Sequence, residues 1–290
     1  MTLSLCTTFA QLAYETHDRL KTARHVGHQI LEETLTDLNI LELKRLHPHE
    51  IYCKTFTRPQ EGVNGADWEW WLTDPTRSRW LGLRVQAKVL ELKSDTFAHL
   101  HYRPKRGRGY QTTRLKKAAE VDGLIPLYCL YSHPPAGAAG WGAVAPSEAY
   151  GCALASVKDV ERLRRRSKSV DFVSVMANAT PWHFPMCMNR AASSRYPTGG
   201  LTTLPDIFSW MFNEGESTFG LLQSELESET ETADAAPPGL PRPGVRRSPP
   251  DYVSALVRGQ LSEDVGKGLR GVLVIEGPVV YLESLDEIGS

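Results

Sequence analysis

Residues 65–88, GADWEWWLTDPTRSRWLGLRVQAK, restrict the fold more than any other stretch of this chain. They read as two strands joined by a turn, because aromatic and β-branched residues recur there at period two. Alternation sends every second side chain to one face, so Asp67 and Glu69 share a side and Trp68 and Trp70 take the other. Gln86 and Lys88 share a face in the same way, while Val85, Ala87 and Val89 read as a buried backing. An acid, an amide and an amine are thereby expected to converge from neighbouring strands within an apolar sheet.

Burying such groups costs free energy unless they are paired, hold a metal or meet an anion. A phosphodiester and a divalent cation together satisfy that demand. A carboxylate with oxygen-donor companions suits Mg²⁺, and a lysine beside it can stabilise charge on an attacked phosphate.

The pattern Gly65-x-Asp67 followed by Gln86-Ala87-Lys88 resembles the active-site motif of the restriction-endonuclease-like PD-(D/E)xK nuclease superfamily, in its QxK form. Gln86 stands where many members carry Glu or Asp. The resemblance implies an α/β fold whose core runs helix, three strands, helix, strand, here over residues 33–131. It also implies Asp67 as a ligand of Mg²⁺ (or Mn²⁺), with Gln86 offering a neutral carbonyl oxygen to the metal or positioning a water. Lys88 would support the attacking water or the phosphate charge. A glutamate from the first helix would join the metal, and Glu33 is the candidate because Thr34 and Thr36 interrupt the apolar face around it. A solvated acidic face formed by Glu33 and Asp37, four residues apart, is the competing explanation. Gln111, at the start of the next helix, is the counterpart of a glutamine that several relatives aim at the site. Members serve in restriction, repair or phage defence, which is association by fold.

A net charge of −1 over 290 residues gives no overall attraction to nucleic acid, so a binding surface must come from local segregation. Seven basic residues and no acid lie between Arg103 and Lys117. Arg103, Lys105, Arg106 and Arg108, with Arg114 and Gln111 on the following helix, are the candidate phosphate contacts. The expected partner is nucleic acid, DNA ahead of RNA, and a dimer is compatible with the sequence. A second basic run, Arg162, Arg164, Arg165, Arg166 and Lys168, belongs to a helix over 157–166 and reads either as added surface or as a solvated face.

The five cysteines are widely spaced and form no CxxC pair, so neither a disulfide framework nor a zinc knuckle is expected. No HExxH, GxSxG or phosphate-loop pattern occurs. No apolar run is long enough to span a membrane, and Leu3-Ser4-Leu5-Cys6 lacks the flanks of a lipoprotein signal, so a cytoplasmic location is the expectation.

Residues 3–46 carry a helical apolar pattern, either as one helix or as two broken near Gly27. Ile51–Phe56 and Ile125–Tyr131 read as strands, Phe172–Met176 as a short strand-like piece and Leu204–Asn213 as a short helix. The domain expectation is a nuclease-like α/β unit over 1–213 and an acidic, proline-rich linker over 214–250. A C-terminal helix and β-hairpin over 251–290 would then dock on the main body, with Gly271–Glu276 and Val279–Leu282 as its arms. Two alternatives to a nuclease remain open: a nuclease-like fold that binds nucleic acid without cutting, and an α/β interaction protein in which Asp67 and Lys88 form a buried ion pair.

Overall fold

The computed structural model of the chain describes residues 3–56, 66–103, 109–138, 145–187, 203–209, 211–212, 244–260 and 269–277. Two helices open it, Leu5–His25 (α1) and Glu32–Leu46 (α2). The Ser4 side chain caps α1 by accepting from the Thr7 amide, and Gly27 turns the chain with φ 68°. That conformation is cheap only for glycine, which is why the apolar pattern is cut into two helices.

Ile51–Thr55 (β1), Trp68–Thr73 (β2) and Trp80–Val89 (β3) follow, then Gln111–Asp122 (α3) and Ile125–Tyr131 (β4). Beyond them come Cys152–Ser156 (β5), Val157–Arg166 (α4), Phe172–Met176 (α5), Ala179–Pro181 (β6) and Phe184–Cys187 (α6). Leu204–Ser209 (α7), Asp251–Val257 (α8) and Gly271–Glu276 (β7) complete the described elements. The fold is mixed α/β, built on a seven-stranded sheet in the order β1-β7-β2-β3-β4-β5-β6. β3 and β4 run parallel, so the chain needs a crossover between them, and α3 supplies it.

Both faces of β2 and β3 are covered: every residue of β2 is buried, and only Val89 of β3 is partly exposed. One face packs on α1 and α2, where Tyr131 meets Thr36 through their hydroxyls at 2.9 Å and Cys152 Sγ lies 3.3 Å from Thr16 Oγ1. α3 covers the other, its Thr112 hydroxyl 3.1 Å from that of Tyr128. The tryptophans divide between the faces. Trp68 and Trp70 pack with Val85 and Leu83 opposite them, whereas Trp71 shares the face of Glu69 and donates its indole N–H to that carboxylate at 2.6 Å.

Three expectations change. Phe172–Met176 is helical, started by Asp171, whose side chain accepts from the Ser174 amide. The segment 271–276 is an interior strand: β7 pairs antiparallel with β1 and parallel with β2. Both its edges are thereby taken, so it cannot also be one arm of a hairpin, and residues 279–282 lie outside the described residues. A Cβ on Gly271 would collide with the Trp68 ring and the Lys54 carbonyl, so only glycine lets β7 enter there. Finally, Cys6 and Cys187 are joined by a disulfide across 181 residues, linking α1 to α6. Spacing could not reveal this bond, because only folding brings its ends together.

Of the expected linker, residues 214–243 lie outside the described residues, while Arg246 exchanges backbone hydrogen bonds with Trp80 at 2.7 and 2.8 Å. Among the described residues no helix is long and apolar enough to cross a membrane.

Candidate active site

Asp67 sits one residue before β2 and continues its ladder, its amide donating to the Val85 carbonyl at 3.0 Å. The register that sets Trp68 against Val85 therefore sets Asp67 against Gln86. The Gln86 amide nitrogen donates to the Asp67 carboxylate, and the Ala87 amide donates to the same oxygen at 3.0 Å. Gln86 and Lys88 are almost fully enclosed, whereas Asp67 is partly exposed. Asp67 is thus the most accessible of the three.

Two helices close on this strand pair. At the start of α3, the Gln111 amide nitrogen donates to the Gln86 carbonyl oxygen at 2.8 Å. At the start of α2, Glu32 lies 3.6 Å from Lys88 Nζ. Glu33, the residue expected from the sequence, instead pairs with Arg270 at 3.2 Å, and Arg270 donates its backbone N–H to the Asp67 carbonyl at 2.6 Å. The glutamate beside Lys88 is therefore Glu32. A signal for it was present: Thr36 faces the sheet, and Glu32, four residues earlier, shares its phase on the helix. Nothing local could have indicated Arg270, which arrives with β7 from the far end of the chain.

Burial raises the pKa of Glu32 to about 7; the Lys88 charge opposes the rise, and the Asp67 and Glu33 charges add to it. Asp67 is raised above the usual carboxylate range for the same first reason, against the pull of Lys88, the Ala87 amide and Arg270. Burial thus holds both carboxylates toward their neutral forms, and Lys88 is the neighbouring charge that favours their ionisation.

A divalent cation placed between them would favour their ionised forms. The Asp67 and Glu32 carboxylates are hard oxygen donors, and Mg²⁺ uses one or two carboxylates with waters and a substrate phosphate. Among the described residues no group of three His, Cys, Asp or Glu is arranged to hold a metal ion, so a cation here would rest on the two carboxylates, the Gln86 nitrogen facing Asp67 and its oxygen accepting from Gln111.

Of the basic candidates, Arg103 is exposed and its guanidinium lies 5.8 Å from the centre of the Tyr110 ring, one residue before Gln111. Arg114 lies on the first turn of α3, partly buried. Lys105, Arg106 and Arg108 fall outside the described residues. The histidines serve packing where their partners are described: His47 bridges Thr8 at 2.8 Å and Glu50 at 2.5 Å, away from the site.

No curated protein matches the chain. Residues 5–280 match the family of unknown function DUF6615, nearly the whole length, and the chain belongs to that family.

Proposed function

We propose that this protein is a metal-dependent nuclease with a restriction-endonuclease-like core, hydrolysing phosphodiester bonds of nucleic acid. The observation that carries the reading is the meeting of Asp67, Gln86, Lys88 and Glu32 at one end of the β2–β3 pair, with both carboxylates held above their ordinary range. The element order α2-β1-β2-β3-α3-β4 supports it, with β7 inserted between β1 and β2.

A bound Mg²⁺ or Mn²⁺ would neutralise charge on the scissile phosphate and acidify a water. Asp67 and Glu32 would hold it, Glu32 losing its proton in the exchange. Lys88 would lie against the phosphate as negative charge develops. Gln111 would keep the Gln86 amide oriented, since an amide held at both ends has one orientation to offer.

The second reading, nucleic-acid binding without cleavage, draws on the Gln86 amide: as oriented, its nitrogen meets Asp67 and its oxygen is occupied by Gln111. One set of measurements separates the two. The wild type, incubated with plasmid, linear DNA and RNA, should cut at least one of them with Mg²⁺ or Mn²⁺ and none with EDTA. Asp67→Ala and Lys88→Ala should both abolish cleavage. Calorimetry should show weaker Mg²⁺ binding for the first and retained or stronger binding for the second, because removing Lys88 removes a repelling charge. A wild type that binds nucleic acid but never cuts it establishes the second reading.

A further inference from the structure

The last turn of α4 carries Arg164, Arg165 and Arg166, with Lys168 just beyond. The tertiary structure brings this turn to the candidate active site, which the sequence does not reveal. The Arg164 guanidinium stacks over the Tyr110 ring at 4.2 Å, and Arg103 approaches the same ring at 5.8 Å. Tyr110 is the residue before Gln111, whose amide bonds Gln86. The segment before Tyr110 also leans on α4, because His101 Nε2 lies 3.0 Å from the Ser169 carbonyl oxygen. A path runs from Asp67 through Gln86, Gln111 and Tyr110 to the end of α4.

Part of the charge along that path has no carboxylate partner among the described residues. Arg162 is paired with Asp159 at 2.9 Å, and Arg165 reaches Glu161 at 3.9 Å. Among the described residues Arg103, Arg164, Arg166 and Lys168 form no ion pair, and Arg164 Nε is enclosed without a hydrogen-bond acceptor. Two guanidinium groups on one aromatic ring repel each other, a cost that ring contact offsets only in part and that a bridging anion would reverse. Burial also lowers the pKa of His101, with the Arg164 charge acting in the same direction.

We infer that the C-terminal turn of α4, with Tyr110 and Arg103, is a phosphate-tracking surface that carries the nucleic-acid backbone away from the site. The ligand is a chain of phosphodiesters, one of whose phosphates is seated by Arg164 and Arg103 beside Tyr110. The inference rests on the proposed function only for where the cut falls; the surface is argued from its own residues.

The test is binding in EDTA, so that affinity is read without turnover, by fluorescence anisotropy of a labelled duplex DNA and of a labelled RNA across a salt series. Each phosphate contact contributes about 0.9 to the slope of log K against log salt on duplex DNA. Arg103→Gln/Arg164→Gln should therefore flatten that slope by about 1.8 and weaken binding on the order of tenfold at low salt. Arg164→Gln should act in the same direction, and circular dichroism and melting should show both variants folded. The stronger of the two probes identifies the nucleic acid. Unchanged affinity and slope in both folded variants overturns the inference while leaving cleavage at Asp67 untouched. A wild type that binds DNA with a slope the variants flatten, yet cuts nothing in Mg²⁺, upholds the surface and removes the nuclease reading. A wild type that ignores both probes, or prefers vesicles rich in phosphatidylserine, overturns it.

Discussion

Glu32 is the residue at which the site's electrostatics can be read without substrate. Its carboxyl titrates near pH 7 in the folded protein, because burial outweighs the help of Lys88. In the unfolded chain it titrates near 4.5. Between those values the folded state binds more protons than the unfolded one, so stability falls as pH rises and levels off above about 7. The loss at full ionisation is on the order of 3 kcal/mol. Melting temperatures of the wild type should therefore decline from pH 5 to pH 8 more steeply than those of Glu32→Gln. Parallel slopes would show that Glu32 ionises normally. Mg²⁺ should restore stability at the alkaline end, releasing protons as it binds below pH 7.

At the scale of elements, the polar face of β2 and β3 holds a second cluster next to the candidate site. Glu69 is buried opposite Arg84, which reaches it at 2.8 Å and Asp122 at 2.6 Å. The Trp71 indole and the Tyr252 hydroxyl also donate to Glu69, so this one carboxylate ties α8 to the sheet. Arg84→Ala would leave a charge buried without its counter-ion and should cost about 3–5 kcal/mol in urea unfolding. A change below about 1 kcal/mol would mean that water reaches Glu69. Because Asp67, Glu69 and Trp71 share a strand face, a loosened α8 should also lower any cleavage activity, although Tyr252 touches none of the site residues.

For the whole molecule, the interior position of β7 makes the chain's end part of its centre. Among the described residues β1 finds its strand partner only in β7, and Arg270 at the head of β7 reaches Asp67. Truncation before residue 270 should therefore abolish cooperative unfolding rather than trim a tail, with far-UV circular dichroism showing loss of sheet. A truncated chain that still melts cooperatively would mean that β1 and β2 can pair directly. Late incorporation of β7 is a long-range step, since the loop to be closed separates it from β2 by most of the chain.

The sequence alone determined the β2–β3 pair and the shared face of Gln86 and Lys88, because period-two alternation and a short turn are local properties; the register that sets Asp67 against Gln86 came from the structure. It also determined the bounds of α4 and the start of α3 at Gln111. Only the tertiary structure decided which glutamate meets Lys88, since that depends on how α2 is rotated against the sheet. The same holds for Arg270, the Cys6–Cys187 bond and the stacking of Arg164 on Tyr110. Each joins residues far apart in the chain, and such contacts follow from packing the whole core rather than from any pattern within a segment.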